Sequence, residues 1–482
     1  MTNALSLCRW FAPLALWLVL VFLVGCGKSP DGPGSAVDPT PQPGAQAAPA
    51  GLEAQQPNLP ENPPEPASEP AAEPVPAGVP GGPPVLRSSP EQLIQPEQLV
   101  YQGAFRLPDH PDDERSWNYS GEAVAYCPVG DPDGPDDGYP GSLFAMGHDW
   151  RGEIGEVSIP VPVVSEGKNV EELNTAATLQ DFGDVKGEMF PALEIIRCGL
   201  AYLPKQGQQT SGKLYFCYGQ HMAEDVADPS HGWCELDLSN PRSAGPWRID
   251  DLRQYVTTDY LFDIPSDWAD ANAPGMLLAT GRFRDGGQGT LGPSLFAFGP
   301  WSHGNPPEPG AKLAAKTLLR YSSVYDEEQH AMRDYHHADE WSGGAWLTAG
   351  DRAAVVFVGT KGQGECWYGF ADGTVWPDEA PFPEIPPPPN DQRGWWSTRF
   401  VGQMIFYDPA QLAAVARGDL EACAPQPYAV LNLDEHLFRI ASPQQKTHVR
   451  AAAFDRARAL LYVFEFRGDE DKSLVHVWRV QP

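Results

Sequence analysis

The sequence predicts an all-β fold, a five-bladed β-propeller closed by its own N-terminal strand. Three observations lead there. A unit of four short β-rich runs recurs five times through the body of the chain. The fifth unit stops one strand short, because the chain ends at Pro482. An unpaired run, YQGAFRLP (101–108), stands just before the first unit and can supply the missing strand. Closure of this kind hides the edges that an open sheet exposes. A two-domain β-sandwich is the rival arrangement.

The first runs of the five units are GEAVAYCP (121–128), CGLAYLP (198–204), DYLFDIP (259–265), SGGAWLT (342–348) and VRAAAFD (449–455). Each carries an aromatic at the matching place: Tyr126, Tyr202, Phe262, Trp346 and Phe454. Bulky groups there are expected to fill the gaps between blades. The second runs are SLFAMGHDW, KLYFCYGQHM, GMLLATGRFR, AAVVFVGTKG and LLYVFEFRGD. Four share a glycine, at 147, 219, 281 and 359, and the fifth has Phe466. A glycine at a strand end is expected to permit a bulge or a positive φ. The third runs are EIGEVSIP, WCELDLSNP, SLFAFGPW, VGQMIFYDP and LVHVWRV. The fourth are ATLQDFG, GPWRIDD, KTLLRYS and YAVLNLD. Only PAQLAAVARG (409–418) reads clearly as a helix, with proline at its entry and glycine at its stop.

The front of the chain has a different character. Arg9 is the only charged residue before Cys26, and an apolar run extends from Trp10 to Val24. That run is shorter than the ~20 residues a membrane-crossing helix needs. A charged start, an apolar stretch and small residues before a cysteine make a secretory signal. Leu23-Val24-Gly25-Cys26 resembles the lipobox of bacterial lipoproteins. The resemblance implies cleavage before Cys26, a diacylglycerol on its thiol and acylation of the new amine. Two or more acyl chains hold a protein stably on a membrane. Residue 27 is glycine rather than the aspartate that retains many lipoproteins at the inner membrane. The outer membrane or cell surface is therefore favoured.

Residues 27–90 are rich in Pro, Ala, Gly and Glu and contain no Phe, Tyr, Trp or Cys. Such a stretch cannot offset its ordering entropy and reads as a disordered linker. At ~3.1 Å per residue its upper reach is on the order of 200 Å. The expected organisation is a signal peptide (1–25), a lipidated Cys26 with its linker (26–94) and a propeller (95–482).

The formal net charge is −31. So acidic a chain argues against nucleic acid and against electrostatic attachment to anionic lipid. Six cysteines follow Cys26: Cys127, Cys198, Cys217, Cys234, Cys366 and Cys423. An oxidising compartment permits disulfides, but spacing does not choose among the pairings. No CxxC spacing suggests structural zinc.

In a propeller, loops after every second run and before every first run open on one face. Loops on a rigid scaffold are where function usually sits. That face is expected to gather His148, Asp149, His221, Arg282, Arg284, Lys361, Arg450 and Arg467, with Trp117 and Trp341 as flat surfaces for a sugar or aliphatic ring. Arginines suit bidentate binding of carboxylate, sulfate or phosphate. The first expectation is thus a binding module for an anionic or carbohydrate ligand, or for an envelope protein.

A second grouping, His148, His221, His336 and His337, has the chemistry to hold a divalent metal, although no cofactor is called for. The acidic run DPDGPDDG (131–138) departs from a calcium loop at Pro135. In layout alone the body resembles five-bladed propellers, some of which are glycoside hydrolases with carboxylates on axis-lining strands. That resemblance implies an alternative, a surface glycosidase or polysaccharide lyase. Glu122, Glu194 and Asp263 are the carboxylates to divide acid and base roles. No Ser-His-Asp elbow, phosphate loop or dinucleotide fingerprint is present.

Overall fold

The computed structural model describes residues 92–193, 195–220, 228–283, 289–323 and 329–482. Residues 1–25, Cys26 and the Pro-rich linker up to residue 91 lie outside the described residues. Among the described residues, no helix is long and apolar enough to cross a membrane.

The chain enters through β1 (Leu99–Arg106). Blade 1 is β2 (Val124–Cys127), β3 (Ser142–Met146), β4 (Ile154–Ser158) and β5 (Thr178–Gly183). Blade 2 is β6 (Arg197–Leu203), β7 (Lys213–Gly219), β8 (His231–Cys234) and β9 (Ala244–Ile249). Blade 3 starts with β10 (Tyr260–Asp263), β11 (Leu278–Gly281) and β12 (Leu295–Phe298). A short β13 (Lys312–Leu313) pairs in parallel with β9, and β14 (Ala315–Leu319) then completes blade 3. Blade 4 is β15 (Glu340–Ala349), β16 (Arg352–Gly369), β17 (Gly394–Tyr407) and β18 (Ala429–Asn432). Blade 5 is β19 (Val449–Asp455), β20 (Leu460–Asp469) and β21 (Lys472–Val480), finished by β1 in antiparallel pairing with β21. The inner strands β2, β6, β10, β15 and β19 pack against one another in a closed ring. The protein is a five-bladed β-propeller.

The strand sequences explain the packing. Side chains alternate across a strand, and in a propeller both faces of a blade meet a neighbour. The middle strands are therefore mostly apolar, and all seven residues of β7 are buried. Leu214, Phe216 and Tyr218 join the core shared with blade 1, while Tyr215 and Cys217 join the core shared with blade 3. Five such cores separate the five blades. The aligned aromatics Phe262, Trp346 and Phe454 are buried in them, and Tyr126 and Tyr202 pack at their margins.

The aligned glycines act differently from the expectation. None of Gly147, Gly219, Gly281 and Gly359 has a positive φ. Each is required by space. A Cβ on Gly281 would lie 2.0 Å from the Ser294 carbonyl oxygen, and one on Gly359 would lie 1.9 Å from that of Glu340. Positive φ is used instead at Gly103 (+116°), where β1 bulges against β21. The bulge lets Val163 and Ala104 exchange backbone hydrogen bonds of 3.0 and 2.9 Å, which covers the outer edge of blade 5.

Closure is also pinned by side chains. The Tyr101 hydroxyl lies 2.9 Å from Nδ1 of His476, whose Nε2 lies 2.8 Å from Glu465. Glu465 also accepts from the amides of Phe438 and Arg439, tying the loop before blade 5 to the same point.

The helix read at 409–418 is present as α2, Pro409–Arg417, capped by Asp408 and stopped by left-handed Gly418. A shorter α1, Ser266–Asn272, precedes it in the chain and was not legible. The six cysteines of the propeller are free, four of them buried.

Candidate functional site

Each blade sends one charged residue to the axis from the start of its inner strand: Glu122, Arg197, Asp259, Glu340 and Arg450. Arg197 is the hub. Its Nη1 lies 2.9 Å from Glu122, its Nη2 2.9 Å from Glu340 and its Nε 4.0 Å from Asp259. Arg450 reaches the other oxygen of Glu122 at 3.3 Å. A sixth member, Arg282, follows β11 and lies 3.3 Å from Asp259. Arg282 is wholly buried, donates to Thr258 Oγ1 and to the carbonyls of Gln220 and Gln254, and lies over the Tyr255 ring.

Three guanidinium groups thus face three carboxylates, and the environments of those carboxylates differ. Burial would raise Glu122, but Arg450 and Arg197 outweigh it and hold the group below its ordinary value. Burial dominates at Asp259, which is pushed up to about 7 despite Arg282 and Arg197. Asp149, at the rim, is also raised by burial, against the pull of Arg450 and His148.

Beneath this network is a narrow axial space lined by Glu122, Asp259, Gly199, Ser342, Gly343 and Ala451. Small residues are needed there because the strands converge. A Cβ on Gly343 would sit 2.3 Å from the Arg450 carbonyl oxygen. The empty volume of about 170 Å³ includes solvent at its mouth, and the enclosed part has room for about one water molecule.

The upper face, where inner strands begin, does collect many of the residues read from the sequence. His148 Nδ1 lies 3.2 Å from Asp149. A row of Arg467, Tyr119, His148 and Trp150 crosses the rim from blade 5 to blade 1, with neighbouring centres 5.3 to 5.8 Å apart. Tyr119 and Arg467 touch with left-handed backbones, at φ 55° and 56°. Such conformations cost energy and persist where surroundings hold them.

Among the described residues, the cations offered to an anion are already committed. Arg282 pairs with Asp259, Arg450 with Glu122, Lys361 with Asp339 and Arg467 with Asp471. Asp339 is itself raised by burial to about 6, against Lys361.

Other expectations are corrected. Trp117 and Trp341 present no flat surface, since both are buried, at 2% and 0% exposure. Trp117 packs on Phe182, and Trp341 lies in the core between blades 3 and 4. Asp263 does not join Glu122. It lies at the far end of β10 and pairs with Arg456 at 2.7 Å. His336 and His337 diverge: His336 contacts Ser397 and the Gly364 carbonyl, whereas His337 stacks on Trp395. Among the described residues no group of three or more His, Cys, Asp or Glu is arranged to hold a metal. Glu194, His221 and Arg284 lie outside the described residues.

The tallest feature of the upper face is an arm. β16 and β17 continue past the blade body, pairing from Lys361–Val401 out to Gly369–Gly394. Beyond Gly369 the chain turns, and Val375 bridges back to Gly369. Aromatic and guanidinium groups stack along the arm. Phe382 lies parallel to Trp376 at 4.9 Å and 6°. Arg393 covers Trp376 at 4.6 Å and lies 6.0 Å from Tyr368. Tyr368 meets Trp395, which stacks on His337.

No protein-family model matches the chain, and no curated protein matches its sequence.

What the sequence reading missed is therefore the pairing of these charges into a ring and the part played by Trp150. Arg197, Asp259 and Glu340 had a signal, one charged residue at the start of each inner strand. Trp150, 80% exposed, sits at the end of a run that otherwise reads as core. The arm's residues fall in the insertion at 363–398, whose pairing no local pattern reveals.

Proposed function

We propose that this protein is an extracytoplasmic lipoprotein, anchored through Cys26, whose propeller binds a partner through its upper face. One observation carries the choice of face. The exposed large apolar residues are unevenly placed. Trp150, Ile195, Tyr368, Val375, Phe382, Ile385 and Ile440 all lie in upper loops or on the arm. The lower side contributes Val129, with Val161 and Val164 in the connection that leaves the lower end of β4, and Val100 and Val430 lie on the outer strands β1 and β18. The three aromatics among these residues, Trp150, Tyr368 and Phe382, are all on the upper side. Apolar groups gathered on one face mark an interaction surface. The axial mouth supports this reading indirectly: its charges neutralise one another and its space is too small for a sugar ring with its contacts. Binding then falls to the rim and the arm.

Two measurements test the two halves. Fractionated cells should hold the wild-type chain with the membranes and release a Cys26→Ala variant; retention of that variant would refute the anchor. A photo-crosslinking residue at Phe382 or Trp150 should capture a discrete partner in envelope preparations, and the same residue at Val129 should not. Equal capture from both faces would refute the choice of face.

A further inference from the structure

The arm differs from the rest of the upper face in what surrounds its aromatic groups. Phe382 is 52% exposed and Ile385 65%. The loop between the arm's two strands, residues 370–393, also carries five exposed carboxylates: Asp372, Asp378, Glu379, Glu384 and Asp391. Arg393 is its only basic residue; it lies over Trp376 while remaining exposed, so the loop keeps five carboxylates against one cation. The stack orders these groups before any partner arrives, which lowers the entropy cost of binding. On the arm Phe382 and Tyr368 remain exposed, in a segment whose carboxylates outnumber its one cation.

We propose that this arm docks a basic polypeptide segment, one rich in Lys or Arg and presented in an extended conformation. The complementarity is twofold. Aromatic faces attract ammonium and guanidinium groups through their quadrupoles, an interaction worth about 0.5–1 kcal/mol at an exposed site. Carboxylates around them pair with further cations and steer the encounter. The net charge of −31 on the whole chain adds a long-range attraction of the same sign. An acidic segment meets repulsion here. A neutral glycan gains stacking but leaves the five carboxylates unused.

The partner class rests on the upper face being the binding face, and the experiment separates the two. Full-length protein in detergent is titrated into a labelled Lys/Arg-rich nonapeptide and into its Glu-substituted counterpart, with anisotropy as the readout. Only the basic peptide should bind, and raising the salt from 0.15 to about 0.5 M should weaken it. Replacing four arm carboxylates (Asp372→Asn, Asp378→Asn, Glu379→Gln, Glu384→Gln) should weaken binding about tenfold, a loss of about 1.4 kcal/mol. Phe382→Ser should weaken it about threefold or more, the loss of one exposed cation–π contact.

The decisive control removes equal charge from the opposite face, in the loop between β2 and β3 (Asp131→Asn, Asp133→Asn, Asp136→Asn, Asp137→Asn). It should change affinity less than about twofold, as expected for charges beyond a Debye length. An equal loss in both quadruple variants would reduce the effect to the protein's overall field and overturn the proposal. So would an unaffected Phe382→Ser, or displacement of the peptide by a neutral oligosaccharide. If Phe382 crosslinks a partner in the envelope while the basic peptide fails to bind, the face stands and the partner class falls.

Discussion

Arg282→Met should lower the unfolding free energy by about 3–5 kcal/mol at pH 8. The side chain has no solvent exposure and is the nearest cation to Asp259, which is 2% exposed. At pH 8 Asp259 is ionised in the wild type, because its pKa of about 7 lies below that pH. Removing Arg282 leaves a buried carboxylate with too little compensation, and it strips Thr258, Gln254 and Gln220 of a donor. The loss should shrink at pH 5.5, where Asp259 takes a proton and no longer needs the guanidinium. Asp259→Asn in the same chain should recover part of the loss at pH 8, because the two residues touch and their effects do not add. Guanidinium denaturation followed by circular dichroism at both pH values gives the comparison. Arg467→Met is the reference. Its partner Asp471 is 42% exposed, and such a surface pair is worth less than about 1 kcal/mol. Equal losses in the two variants would mean that the axial ring does not clamp the blades.

Asp259→Asn alone should gain on the wild type as the pH rises from 5 to 8, by on the order of 3 kcal/mol. The sign follows from proton counts. Burial raises Asp259 from 3.8 to about 7 in the folded chain. Between those values the folded state binds a proton that the unfolded state has released. Its stabilising effect is complete below about pH 4 and is lost as the pH climbs through 7. Asparagine has the same shape and carries no charge at any of these pH values, so it escapes that loss. The difference between variant and wild type is the useful quantity, since other groups act on both chains alike. Asp339, raised to about 6, acts in the same direction as Asp259. His231 acts the other way. Burial lowers it to about 3, so it withdraws stability as the pH falls below 6.5. Glu122 also loses its contribution on acidification, because its folded value is depressed. Parallel curves for variant and wild type would show that Asp259 ionises normally and that the ring tolerates its charge.

The five-fold repeat was legible because its signals are local. Short apolar runs such as β6 and β7, an aromatic such as Trp346 near the end of each inner strand, and turn residues between runs can be read from a few residues at a time. Closure was legible from a count, one strand missing at the end and one spare at the front. The site was legible only in part. His148, Asp149, Arg450 and Arg467 do reach one face, because strand direction alone decides which loops open there. Their chemistry was not readable. Arg282 follows a strand and looks like a solvated loop residue, yet it is buried by Tyr255 and the Gln254 carbonyl from an earlier connection. Trp117 and Trp341 look like surface aromatics beside polar residues, yet each fills a gap between blades. The glycines at 147, 219, 281 and 359 look like turn devices, yet they answer to the closeness of another strand or side chain.

By itself, then, the sequence determined the class of fold, the number of blades, how the ring closes and which loops share a face. All four follow from the two-residue period of a strand and the reversal of direction at each turn, which depend on neighbours along the chain. Only the tertiary structure decided which charges meet at the axis, which aromatics remain outside and how the arm's two strands pair. Those outcomes depend on neighbours across the ring. Arg197 contacts carboxylates from blades 1, 3 and 4, and such a set exists only once all five inner strands have converged on one axis.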